Sequence, residues 1–295
     1  MNKEIIFDSK ERKKYLKEFN AKYPEHQSGI IGRSILGKDI DYYKIGEGKK
    51  NIVVVGAHHG MEYLTASALY DFVDFLCENA ARDRVWNGIN LAFLVRRFAF
   101  WIIPCINPDG VELNVNGLEK SPLRDRQIKM NGGSLDFGEW QANARGVDLN
   151  HNYNFGFAEY KKIERELSVF AGKTRYAGEY PESEPETKAL CNLIRTLLPT
   201  AVVSLHSQGR EIYFKPETDR HRRIAEGLAK SVGYKLSVPE GCAAYGGLSD
   251  YTGGVLGIPS FTVEVGKGKN PLPLSELRGI CDAVRKLLVF LPTRL

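Results

Sequence analysis

Apolar residues along this chain fall into short β-branched runs separated by longer segments of helical spacing. The run at 51–57 (NIVVVGA) is apolar without alternation, the pattern of a strand buried on both faces. It breaks at Gly56 and passes into a polar loop, HHGME. Similar runs at 98–106, 201–206 (AVVSLH) and 258–265 (IPSFTVEV) predict further strands. Between them, 9–23, 65–77, 157–170, 184–198 and 274–291 space their apolar residues as helices. Residues 30–45, with Gly32 and Gly37, alternate like a hairpin. Ser183 followed three residues later by Glu186 predicts a capping box at the start of the helix over 184–198. Asn107-Pro108-Asp109-Gly110 reads as a turn. The stretch 111–155 shows little regular pattern, and a segment that long is often functional.

Strands alternating with helices imply an α/β layer architecture with a largely parallel sheet. At 295 residues and 43% hydrophobic, the chain can bury a large core. It has no internal repeat, low-complexity linker or break in composition. One domain over 1–295 is expected, with the helix and hairpin of 1–50 packed on it. The net charge of +5 is dispersed: Lys3, Arg12, Lys13, Lys14 and Lys17 interleave with Glu4, Asp8, Glu11 and Glu18. That is a solvated helix face, not a nucleic-acid stripe. Five cysteines without C-x-x-C spacing fit a reducing compartment, not a disulfide framework. The N-terminus is charged almost at once, and no run of roughly 18 apolar residues marks a membrane span. A cytoplasmic location is expected, and no motif points to a protein partner.

Ligand sites in open α/β sheets lie beyond the carboxyl ends of strands. His59 and Glu62 follow one predicted strand, His206 ends another, and Glu264 lies near the end of a third. Two imidazoles and a carboxylate suit catalytic zinc, which takes three protein ligands and keeps a position for water. Gly60 eases the turn that would let His59 and Glu62 converge. A carboxylate within the apolar run 261–265 is costly to bury without a partner, which makes Glu264 the candidate general base. His58 is either a turn residue or a group that supports a ligand.

The segments GAHHGMEY (56–63), PCINPDGVE (104–112), NARGVDLNHNYNFGF (143–157), YPESEPET (180–187), SLHSQG (204–209) and GGLSDYTGGVLGIPSFTVEVGKG (246–268) resemble the zinc carboxypeptidase family, in the family's order. Within it, SLHSQG, GVDLNHNYNFGF and FTVEVGKGKNPLP look most like bacterial γ-D-glutamyl-L-diamino acid endopeptidases. The resemblance implies an α/β/α fold around a mixed, twisted, mostly parallel eight-stranded sheet. It implies one Zn2+ per chain on His59, Glu62 and His206, with Glu264 as base and proton shuttle. It makes Asp148 the carboxylate that orients His59, Asn150 a holder of the substrate carboxylate, and Arg145 the oxyanion-stabilising arginine. Ser249 falls where the family sets side-chain specificity. The family's substrate-covering tyrosine aligns with Cys242, leaving Tyr245 or Tyr251 to serve.

One departure bears on substrate. The family usually has an arginine after the asparagine, forking the C-terminal carboxylate bidentately, and here the residue is His151. That favours the endopeptidase reading: hydrolysis of the γ-D-glutamyl–meso-diaminopimelate bond in soluble muropeptides, with His151 and Asn150 placing the diaminopimelate. A general metallocarboxypeptidase, a small-substrate amidase of the same fold, and a non-catalytic zinc-containing muropeptide-binding protein are the rivals.

Overall fold

The structure is a computed structural model that describes residues 5–118, 121–215 and 218–295. In chain order its main elements are α1 (Ser9–Lys22), β1 (Gln27–Arg33), β2 (Asp39–Ile45), β3 (Lys50–Val55), α2 (Tyr63–Ala81), the ribbon β4 (Val85–Trp86) and β5 (Ile89–Asn90), α3 (Leu91–Arg97) and β6 (Phe98–Ile103). Then follow α4 (Pro108–Asn116), α5 (Arg124–Met130), α6 (Phe157–Glu166), α7 (Pro185–Leu197), β7 (Ala201–Ser207), β8 (Glu211–Tyr213), α8 (Asp219–Val232), β9 (Lys235–Ser237), α9 (Leu248–Gly254), β10 (Ser260–Val265) and α10 (Leu277–Phe290).

Eight strands form one mixed sheet in the order β1-β2-β6-β3-β7-β10-β8-β9. The four central strands, β6, β3, β7 and β10, are parallel, and β2 and β8 flank them antiparallel. The β-branched runs sit in the centre because both faces are covered. Ile52 and Val54 of β3 pack into one core with side chains of α1, α2, α8 and α10. Val53 and Val55 alternate into a second core with Leu190 and Ile194 of α7 and Leu248 and Tyr251 of α9. Arg285 of α10 forks Asp71 of α2 at 2.8 and 2.6 Å, locking the two helices together. From β3 the chain steps to β6 on one side and later returns to β7 on the other. The carboxyl ends of β3 and β7 therefore flank a switch point, where a crevice opens.

The strands, the hairpin and the five helices predicted from periodicity all form, with shifted ends. Two local readings change. Asn107-Pro108-Asp109 is not a turn but the start of α4: Asn107 accepts from Gly110 N at 2.9 Å and Pro108 takes the first helical position. No capping box opens α7, because its N-cap is Glu184, whose side chain turns to Asn143 and Arg145.

Glu186 is instead buried inside α7, where one carboxyl oxygen accepts from Ile35 N at 3.2 Å and the other has no hydrogen-bond partner among the described residues. Desolvation pushes its carboxyl up to about 8. A carboxyl raised by folding stabilises the native state fully below its unfolded value near 4.5 and loses that contribution as pH rises toward 8. The melting temperature is therefore expected to fall between pH 5 and 8 more steeply in the wild type than in Glu186→Gln, which keeps the acceptor for Ile35. Thermal melts of both across that range check this; parallel curves would remove Glu186 as the cause.

Candidate active site

His58, His59 and Glu62 lie in the loop and short 3-10 turn between β3 and α2. This loop passes so close to its neighbours that a Cβ on Gly60 would lie 2.4 Å from Gly110 O and 2.8 Å from Trp140 O. Only glycine allows that approach. Asn107 ties the loop down, donating to His58 O at 2.9 Å and to Gln141 O at 3.1 Å. His206 comes from the end of β7. Glu264 is its registered partner on the adjacent parallel strand β10, so the two side chains leave the sheet side by side.

One donor atom from each of His59, Glu62 and His206 falls within 4.8 Å of the other two. His59 Nδ1 is 3.0 Å from one Glu62 oxygen and His206 Nδ1 is 3.1 Å from the other. Each ring is held from behind at its other nitrogen: His59 Nε2 meets Asp148 Oδ1 at 3.2 Å, and His206 Nε2 meets Ser204 Oγ at 3.0 Å. Two Nδ1 atoms and a carboxylate thus face one point, a donor set that suits a zinc ion. His58 does not join them. It is buried and stacked on His206, with Nε2 2.9 Å from the Tyr153 hydroxyl, and it supports the cluster by packing.

The electrostatics follow from burying this cluster. Burial opposes charge on His59, but the carboxylates of Glu62 and Asp148 outweigh it and push the imidazole well up. Glu62 is also disfavoured by burial, yet His59 and His206 bring it down to about 2. Glu264 is pushed well above the usual carboxylate range by burial and by the Glu62 charge, against the pull of His59.

A cleft of about 500 Å³ opens beside the cluster, lined by His59, His206 and Glu264 together with Asp148, Asn150, His151 and Ser249. Asn150 Oδ1 accepts from Leu248 N at 3.2 Å, leaving its amide nitrogen available to a ligand. His151 stacks on Tyr160 with 4.0 Å between centroids, and its Nδ1 donates to Tyr245 O at 2.9 Å. With Nδ1 engaged, the ring has only Nε2 left for a ligand, so it cannot form the two-pronged clamp of an arginine.

Three sequence assignments are placed elsewhere. Arg145 does not line the cleft, because its guanidinium forks the buried Glu184 through contacts of 3.0–3.1 Å. Tyr245 gives its carbonyl to His151 and rests its ring over Gly156, outside the cleft lining. Tyr251 is buried against Tyr153 and accepts from Arg195 at 3.1 Å, while Cys242 is half-buried outside the lining. The cleft contains instead Arg175, Tyr213, Lys215 and Asp250, which sequence reasoning missed. Arg175 has a left-handed backbone (φ 68), pinned by its N–H on Asp148 at 3.0 Å and its C=O on Tyr160 at 2.8 Å. Among the described residues its guanidinium has no hydrogen-bond or ion-pair partner.

The zinc carboxypeptidase family model matches residues 13–286. The chain belongs to the zinc carboxypeptidase family. Like other zinc carboxypeptidases it is a metal-dependent hydrolase, and the fold agrees: bovine thrombin-activatable fibrinolysis inhibitor superposes with a TM-score of 0.75 at 20% identity, over 98% of this chain and 97% of that one. Among curated zinc carboxypeptidase relatives, γ-D-glutamyl-L-diamino acid endopeptidase 1 of Lysinibacillus sphaericus is 30% identical over 265 residues, 88% of this chain. The match spans 66% of that endopeptidase's length. Murein peptide amidase A of Escherichia coli (strain K12) is 28% identical over 221 residues, 69% of this chain and 70% of its own. Among the described residues no helix is long and apolar enough to cross a membrane.

Proposed function

We propose that this protein hydrolyses the amide bond between γ-D-glutamate and meso-diaminopimelate in peptidoglycan-derived peptides. The likeness to the endopeptidase and the amidase supports a peptidoglycan peptide as substrate. The observation that carries the reading is a complete donor set and base beside an incomplete carboxylate clamp. Glu264 stands next to His206, whereas His151 is turned by Tyr245 and offers no bidentate fork.

His59 and His206 would hold one zinc ion through Nδ1, and Glu62 through its carboxylate. Such an ion polarises the amide carbonyl and makes a water acidic enough to attack near neutral pH. Glu264 takes the proton of the attacking water and delivers it to the departing amine nitrogen. Asp148 and Ser204 hold the two imidazoles in position. Arg175, a cleft cation without a hydrogen-bond or ion-pair partner among the described residues, takes the charge that develops on the carbonyl oxygen, the role the sequence motif gives to Arg145. Asn150 contacts the carboxylate of the leaving residue, and the Ser249 hydroxyl, which accepts from Thr262 at 2.9 Å, lines the space for its side chain.

Incubation with L-Ala-γ-D-Glu-meso-diaminopimelate, followed by mass spectrometry, tests the reading. Free meso-diaminopimelate and L-Ala-γ-D-Glu are expected, with cleavage abolished by a chelator and restored by zinc. Faster cleavage of an all-L peptide with a free terminal carboxylate would make the protein a general carboxypeptidase. Stoichiometric zinc and peptide binding without turnover would make it a receptor.

A further inference from the structure

The cleft carries a second charged feature away from the metal-ligand cluster. Lys215 and Asp250 both line it, with Lys215 Nζ 3.1 Å from Asp250 Oδ1. Both side chains are largely enclosed, at 18% and 8% exposure. Lys215 also donates to Ala244 O at 2.7 Å and lies 3.9 Å above the Phe155 ring, so the ammonium is fixed in place. Asp250 Oδ2 accepts from Gly247 N at 3.2 Å, which fixes the carboxylate.

An enclosed ion pair is a poor stabilising device, since desolvating two charges costs about as much as their attraction returns. Here the pair lines an open cleft, and the same lining includes Ser249 and Thr262, whose hydroxyls are hydrogen-bonded to each other at 2.9 Å. The wall so formed holds one cation, one anion and two hydroxyls. A ligand group bearing one ammonium and one carboxylate on the same carbon would match it charge for charge.

We infer that Lys215 and Asp250 form the specificity site for the side chain of the leaving residue, and that they read a zwitterionic amino-acid end. The carboxylate of that end meets Lys215 and its ammonium meets Asp250. This rests on the proposed hydrolysis of a γ-D-glutamyl–diamino acid bond, and it names the residues that separate meso-diaminopimelate from lysine. Lysine shares the ammonium but lacks the distal carboxylate.

Binding to the zinc-loaded protein tests the inference without turnover. Calorimetric titration with meso-diaminopimelate, L-lysine and L-2-aminopimelate, which keeps the distal carboxylate but lacks the ammonium, is expected to show meso-diaminopimelate tighter than either by about 10–100-fold. Lys215→Gln is expected to lose the advantage over L-lysine, and Lys215→Arg to keep part of it. Equal affinity of the wild type for the three ligands overturns the assignment, and so does an undiminished preference in Lys215→Gln. Should the glutamine variant fail to fold, the wild-type comparison still decides. Peptide cleavage measured alongside separates the two claims. Discrimination without cleavage leaves the pocket assignment standing and removes the hydrolase reading; cleavage without discrimination does the reverse.

Discussion

Glu264→Gln is expected to lower kcat by about 10²–10⁴-fold while leaving zinc content, KM and fold in place. The register explains why the loss should be this selective. Glu264 stands on β10 between His206 on β7 and Glu211 on β8, so its position is set by strand pairing and glutamine occupies the same space. Glutamine cannot accept the water's proton or return it to the departing amine. Stability should change little, because glutamine has nearly the size and shape of glutamate at this paired strand position. The melting temperature of the variant should stay close to that of the wild type. Steady-state kinetics on the γ-D-glutamyl peptide, metal analysis and a thermal melt check the three parts together. A variant that keeps its rate would place the base elsewhere in the cleft, and a variant that loses its zinc would make Glu264 a support for the metal site.

The β-branched runs at 51–57 and 201–206 made the central strands legible, because a strand covered on both faces is apolar over most of its length. The convergence of His59, Glu62, His206 and Glu264 was legible for a related reason. Each is a polar residue at or near the end of such a run, where the sheet's topology leaves a crevice. What stayed hidden lacks periodicity. Asn107 and Pro108 carry the residue types of a turn and of a helix start alike, and only the apolar side of α4 decides between them. β8 and β9 are three residues each, too short to show alternation. Lys215 and Asp250 lie 35 residues apart by their numbering, and nothing local marks them as partners. The place of Arg175 in the cleft stayed hidden because it depends on a left-handed backbone held by Asp148 and Tyr160, a tertiary property absent from the residue's neighbours in sequence.

The two arginines make the sharpest contrast between motif and geometry. Arg145 stands in the run NARGVDLN, next to Asp148 and Asn150, and by position alone it is the cation nearest the chemistry. Its guanidinium nevertheless makes three contacts with Glu184, a carboxylate 2% exposed that also accepts from Asn143. Arg145→Ala would leave that carboxylate short of its charged donors, a loss of about 1.5–3 kcal/mol for hydrogen bonds to a charged group. In a chain of this size that corresponds to a melting temperature lower by roughly 2–5 °C, with kcat little changed in the folded protein. Arg175→Ala should behave in the opposite way. Its guanidinium holds no partner among the described residues, so the melting temperature stays in place. Losing the cation proposed above to stabilise the developing oxyanion should lower kcat by about 10²–10³-fold, with a smaller effect on KM. Thermal melts and kinetics on the two variants read the outcome directly. Were Arg145→Ala to melt normally and lose its rate while Arg175→Ala kept it, the guanidinium of Arg145 would have to leave Glu184 when substrate binds, and the motif, not the resting geometry, would have named the catalytic arginine.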